Sequence, residues 1–147
     1  MIFGIGIDVA ATRRIKAAIE RHPRVRERLF TAAEIKACER KADPFSSFAA
    51  RFAAKEAFAK AAGAGLIKGL RWTDVEVENL ESGRPLLAAR GAAADFLKSI
   101  GDGVAHLSLT HDGGIAAAVC VIEVPPTDPA ARNQPNPATA GKVTGDL

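Results

Sequence analysis

Residues 2–9, Ile-Phe-Gly-Ile-Gly-Ile-Asp-Val, alternate two kinds of side chain: Phe3, Ile5, Ile7 and Val9 fall on one side and Gly4, Gly6 and Asp8 on the other. Successive side chains of a strand point to opposite faces, so this spacing predicts a buried strand with one apolar face and one nearly bare face. A bare face lets a second element approach closely, and Asp8 stands at the end of it. The segment lacks the third glycine of the dinucleotide-binding fingerprint and runs on as strand, which argues against that use of its glycines.

The element most suited to approach is the stretch from Pro44 to Ala62, the richest in alanine and strongly helical by propensity. Asp43-Pro44 precedes it and Gly63-Ala64-Gly65 ends it. Gly63 and Gly65 follow a helix, where a phosphate-cradling loop would precede one, so they read as a C-cap. Upstream, Thr12 is expected to cap a helix that reaches about His22 and is stopped by Pro23, and Thr31 with Glu34 forms a capping box for a helix to about Ala42. Downstream, a strand from Thr73 to Asn79, a turn at Glu81-Ser82-Gly83 and an extended Arg84 to Leu87 precede a helix from about Ala89 to Ile100, closed by Gly101-Asp102-Gly103. Val104 to His111 and Ile115 to Val124 flank Asp112-Gly113-Gly114, a hairpin signal. The second of these strands is apolar on both faces and is expected at the centre of a sheet.

At 147 residues and 48% hydrophobic content the chain can support one core without disulfides. Cys38 and Cys120 are far apart and form no metal-ligand cluster, so they read as inert thiols. Residues 1–124 are expected to form the domain. Residues 125–147 hold five of the eight prolines with little to bury, which reads as a disordered tail. The N-terminus has no basic lead-in and no apolar run reaches membrane-spanning length, so a soluble cytoplasmic protein is expected. The net charge of +3 is unevenly spread: between Arg13 and Arg28 seven basic residues face two acidic ones, a local +5 that can steer an acidic partner.

Stepping by four along the alanine-rich helix, Phe45, Phe48 and Phe52 lead to Glu56 and Lys60. An exposed Glu56–Lys60 pair at i,i+4 is one reading. The other brings Glu56 together with Asp8 across the glycine face, around a cation that takes its remaining ligands from phosphate and water, as magnesium does. In the strand after Gly103, His106, Ser108 and Thr110 share a polar face, while His111 adjoins the turn; a histidine among hydroxyls can bind phosphate, although a lone strand histidine is more often structural.

Four separated motifs occur in order: Gly-Ile-Gly-Ile-Asp-Val at 4–9, Arg-Phe-Ala-Ala-Lys-Glu-Ala-Phe-Ala-Lys at 51–60, Gly-Arg-Pro at 83–85 and Leu-Ser-Leu-Thr-His-Asp at 107–112. Together they resemble the phosphopantetheinyl transferases of the holo-acyl-carrier-protein synthase type, over Met1 to about Val124. The resemblance implies an α+β fold, an antiparallel sheet with packed helices, assembled as a compact homotrimer with active sites between subunits. It implies transfer of phosphopantetheine from coenzyme A to a serine of an acidic acyl-carrier protein, with Mg2+ held by Asp8 and Glu56. It further implies Lys60 and Lys55 beside the phosphates, and Arg51, Arg84, Pro85, Ser108, Thr110 and His111 along the nucleotide. Arg14, with Arg21, Arg24 and Arg28 after it, matches the surface that docks the carrier protein. Thr110 stands where serine is common in the family and keeps the hydroxyl, and the proline-rich tail extends past the usual last strand.

Two other classes remain. A noncatalytic module binding an acidic protein would not need Asp8, Glu56 and Lys60 together. A nucleic-acid or membrane partner for the arginines is not expected: the chain has no tyrosine and one tryptophan, Trp72, and so few stacking platforms for bases.

Overall fold

The apolar run Ile115–Glu123 occupies the middle of a three-stranded antiparallel sheet, as its two apolar faces require. The computed structural model describes residues 1–63, 65 and 67–126. In chain order they form β1 (Ile2–Ala11), α1 (Thr12–Arg21), α2 (Pro23–Leu29), α3 (Ala32–Glu39), α4 (Pro44–Ala62), a 3₁₀ turn (Trp72–Asp74), β2 (Val75–Asn79), β3 (Pro85–Ala89), α5 (Gly91–Ser99), β4 (Val104–Asp112) and β5 (Ile115–Glu123). The larger sheet has the order β1-β5-β4, and β2 and β3 form a separate hairpin. The β4–β5 hairpin turns through Gly113 and Gly114, whose φ of 56° and 78° is what a two-residue turn between right-twisted strands demands. All but the first two residues of the expected tail, 127–147, lie outside the described residues.

Helix α4 lies across β1 and β5, and the glycines of β1 permit it. A Cβ on Gly4 would overlap the Ala61 carbonyl oxygen, and one on Gly6 the Ala57 carbonyl oxygen, so the helix backbone rests on the strand. Around α4, Phe48, Phe58 and all of its alanines but Ala59 are buried with Phe30, Ala118, Cys120 and Ile122. Phe30 and Phe48 meet at a tilt with 4.9 Å between ring centroids, and Phe52 meets Trp72 at 5.4 Å. Both cysteines are free and buried, and burial pushes the Cys120 thiol up to about 12, in keeping with inert thiols.

The apolar side of β1 is not buried in the chain, contrary to the expectation. Ile5, Ile7 and Val9 are 63%, 59% and 56% exposed. The helices cover only one side of the sheet, and that side belongs to the glycines. Other expectations move at their edges. Ala11, not Thr12, is the N-cap of α1, and the Thr12 hydroxyl lies 3.4 Å from that of Ser46. Pro23 begins a further helix, α2, at its first position, where a missing N–H is harmless. The Thr31–Glu34 capping box forms with both hydrogen bonds, but α3 ends at Glu39. Asp43 caps α4 by accepting from the Ser46 N–H at 3.1 Å.

One buried ion pair organises the other end. Lys55 donates to Glu34 at 2.7 Å and also to the carbonyls of Val75 and Trp72, while the Val77 N–H donates to Glu34 at 2.9 Å. The pair thus occupies the free edge of β2, supplying the donor and acceptor that a neighbouring strand would have supplied.

Candidate active site

Asp8 ends the glycine face of β1, and Glu56 and Lys60 sit one turn apart on α4 where the helix crosses it. Lys60 does not pair with its helix neighbour Glu56. Its Nζ donates to Asp8 Oδ1 at 2.8 Å and to the Ile7 carbonyl at 3.0 Å. The bond to Asp8 holds the Lys60 ammonium above its ordinary pKa. Burial, and then the Asp8 charge, push the Glu56 carboxyl up from the usual carboxylate range. Among the described residues Glu56 has no salt-bridge partner, so it stands as a free carboxylate beside a second, lysine-bound one.

Asp8 and Glu56 line one cavity of about 390 Å³ together with Arg14 from α1. The rest of its lining includes the apolar side chains of Ile15, Ala18, Leu29 and Phe52. Carboxylate oxygens on one side and an exposed guanidinium at the rim make a place for a cation, a phosphate and an acidic partner. Arg21, Arg24 and Arg28 continue the basic surface along α1 and α2, exposed. Arg26 is spent within the chain, on Glu39 at 2.8 Å and on Glu27.

A second cavity, also about 390 Å³, opens beside the start of α4 and holds Arg51 and His111 with Lys41, Asp43, Ser46, Ser47 and Asn79. The two cavities share no residue. Arg84 is exposed on the β2–β3 turn, and Pro85 is paired with Asn79 at its base. Ser108 and Thr110 stand on the opposite face of β4 from His111. They align through Val119 and Ala117 with Ile7 and Val9, on the open side of the sheet.

The structure therefore brings Asp8, Glu56, Lys60 and Arg14 together, gathers Arg51 with His111, and leaves Ser108 and Thr110 apart from both groups. Lys55 requires a correction. It is 2% exposed, and its three N–H groups meet Glu34 and two backbone carbonyls, so none remains for a phosphate. The motif places it one residue before Glu56, and one residue along a helix turns a side chain about 100° away, here into the core. Sequence reasoning passed over the apolar lining of the first cavity and the polar lining of the second. For the latter a signal existed: Asp43 three residues before Ser46 is the spacing of an N-cap that gathers polar groups at a helix start. Nothing in the sequence singles out Asn79.

The comparisons with known proteins point one way. The holo-[acyl-carrier-protein] synthase of Phenylobacterium zucineum is 46% identical over 136 residues, which span 89% of this chain and 99% of that protein. The fold matches the crystal structure of holo-[acyl-carrier-protein] synthase from Neisseria meningitidis with a TM-score of 0.76 at 29% identity, covering 84% of this chain and 99% of that one. It matches the Bacillus anthracis enzyme, solved in complex with coenzyme A (3′,5′-ADP), with a TM-score of 0.70 at 32% identity, covering 85% and 99%. The sequence profile of the 4′-phosphopantetheinyl transferase superfamily takes in residues 4–120, from the glycine face of β1 to the central strand, and the chain belongs to that family.

Proposed function

We propose that this protein transfers the 4′-phosphopantetheine arm of coenzyme A to a serine of an apo-acyl-carrier protein, releasing adenosine 3′,5′-bisphosphate. The observation that carries the reading is Lys60 reaching across to Asp8 and leaving Glu56 free, so that two carboxylates and Arg14 face one cavity. The names of the relatives, and the coenzyme A bound in the Bacillus anthracis structure, agree with it.

The donor set fits Mg2+. Asp8 and Glu56 offer hard oxygens, and among the described residues no group of three or more His, Cys, Asp or Glu could hold a metal, so the remaining ligands would come from substrate phosphate and water. When bound, the ion supplies positive charge to phosphate oxygens as the leaving group departs. The chain's own residues do the rest. Lys60 has spent two of its three N–H groups on Asp8 and Ile7, which fixes the ammonium and leaves one N–H for a phosphate oxygen. The serine oxygen bonds to the pantetheine-side phosphorus, and the bond from that phosphorus to the bridging oxygen breaks. The serine proton passes to water in this cavity, since Asp8 is held by Lys60 and both carboxylates would be engaged by the ion. Arg14, Arg21, Arg24 and Arg28 form the docking surface for an acidic carrier protein.

The remaining site residues fit a homotrimer. Ile5, Ile7 and Val9 form an exposed apolar strip, with Ser108 and Thr110 on the same side of the sheet, and the two cavities of one chain are separate. A neighbouring copy packed on that strip would join the Asp8 cavity of one subunit to the nucleotide-binding residues of another: Arg51, Arg84, Pro85, Ser108, Thr110 and His111. Residues 1–124 make up this catalytic unit. Its place is the cytoplasm, and no described helix is long and apolar enough to cross a membrane. Light scattering is expected to give three times the 15.4 kDa chain mass, and a monomer would contradict the shared site.

Chromatography of the small-molecule products tests the reaction. Adenosine 3′,5′-bisphosphate is expected to appear with coenzyme A and an apo-carrier protein, and not when the acceptor serine of the carrier is replaced by alanine. Equal release with both carriers would mean hydrolysis, not transfer.

A further inference from the structure

The β2–β3 turn that carries Arg84 is tied to the core by a relay of side chains. Arg51, 5% exposed, donates Nη1 to the Ser47 hydroxyl at 2.7 Å and Nη2 to Asn79 Oδ1 at 3.1 Å. Among the described residues its Nε is buried without a partner, so Ser47 and Asn79 are what hold the guanidinium. Asn79 then donates Nδ2 to the Gly83 carbonyl at 3.3 Å, spanning the turn. The turn itself closes through Gly83 N–H to the Leu80 carbonyl at 2.8 Å and Leu80 N–H to the Arg84 carbonyl at 2.9 Å.

A short amide meets both demands. The guanidinium can only donate and the Gly83 carbonyl can only accept, so the group between them must accept at one end and donate at the other, which also fixes the orientation of the amide. Aspartate keeps the first bond and opposes the second with a carboxylate oxygen facing a carbonyl oxygen. Asn79 also lines the same cavity as Arg51 and His111. It therefore connects the wall of that cavity to the turn bearing Arg84 and Pro85.

We propose that Asn79 is a positioning residue for the nucleotide end of coenzyme A, holding the Arg84 turn at the correct distance from Arg51 and His111. The inference rests on the reading of that cavity as the nucleotide's. It concerns neither the carboxylate site nor the carrier-protein surface, so its effect is confined to one substrate.

Asn79→Asp keeps the partner of the buried guanidinium but adds a negative charge to the cavity lining, so the uncharged Asn79→Ala is read beside it. In the full chain, adenosine 3′,5′-bisphosphate measured by calorimetry is expected to bind about five- to tenfold more weakly, as the loss of one hydrogen bond with added repulsion gives. The KM for coenzyme A is expected to rise alongside it, with kcat and the KM for the carrier protein unchanged and the thermal midpoint lowered less than in Asn79→Ala. Asn79→Ala loses both bonds, so it is expected to weaken nucleotide binding at least as much and to lower the thermal midpoint as well. Unchanged nucleotide affinity in both variants would overturn the proposal and leave Asn79 a structural brace. A wild-type chain that transfers phosphopantetheine yet does not bind the nucleotide would overturn it together with the nucleotide reading of the cavity. If transfer is also absent, the functional reading is what fails.

Discussion

Two lysines five residues apart on α4 each hold a carboxylate at nearly the same distance, 2.7 Å for Lys55 with Glu34 and 2.8 Å for Lys60 with Asp8. Their surroundings differ. The Lys55 and Glu34 side chains are 1% and 0% exposed, and every N–H of the lysine is used. Lys60 is half exposed, with one N–H to spare. Burial pulls the Lys55 ammonium down, with Glu34 pushing back, whereas the Asp8 bond holds Lys60 up. The same ion-pair chemistry thus braces the fold at one end of the helix and leaves a half-exposed ammonium with a spare N–H at the other, where the proposed site lies. Saturation and exposure separate the two roles.

The most disruptive change should be at the buried pair. Lys55→Ala leaves Glu34 charged and unpaired in the core and is expected to cost about 3–5 kcal/mol of folding stability, read from chemical denaturation. Replacing both partners, as in Glu34→Leu with Lys55→Met, is expected to recover only part of this. The double variant still strips partners from the edge of β2, at about 1–3 kcal/mol for a buried backbone group. Full recovery would show that the pair does not serve the strand edge. At the other end the currency changes from stability to rate. Glu56→Gln is expected to lower kcat/KM about 10³-fold with an unaltered unfolding midpoint. Lys60→Ala should lower kcat about 10²-fold, with a fall in the midpoint far smaller than that of Lys55→Ala. A midpoint that falls in Lys60→Ala as in Lys55→Ala would erase the contrast between the two lysines.

Arg14→Glu tests the rim of the cavity. Reversing one exposed charge is expected to raise the KM for the carrier protein about tenfold and leave the KM for coenzyme A alone, with the difference shrinking in high salt. The smallest effect is assigned to the tail: ending the chain after Pro126 is expected to leave both stability and transfer at wild-type values, and a loss of either would give those residues a role.

Much of this architecture is legible in the chain because it depends on local pattern. Alternation with glycine predicts the close approach of α4 to β1, two apolar faces predict the central place of β5, and Thr31 with Glu34 predicts a capping box that forms with both bonds. The meeting of Asp8 and Glu56 at one cavity is legible for the same reason, as glycine spacing and helical spacing point at each other. What the pattern cannot convey is contact between distant segments. Lys55 is buried because Glu34 lies 21 residues before it and the β2 edge about 20 residues after it, and no periodicity encodes that meeting. The motif resemblance placed Lys55 at the phosphates, and only the packing corrects it. The outward turn of Ile5, Ile7 and Val9 is hidden likewise, since alternation marks an apolar face without saying what covers it.

The most direct test is the intact mass of a purified apo-acyl-carrier protein after incubation with coenzyme A and the wild-type or Glu56→Gln chain, with magnesium and with a chelator in parallel. A gain of one phosphopantetheine with wild-type chain and magnesium, and none with the chelator or the variant, is the predicted result. An equal gain with Glu56→Gln, or in the absence of metal, would contradict the assignment of Asp8, Glu56 and Lys60 as the site of transfer.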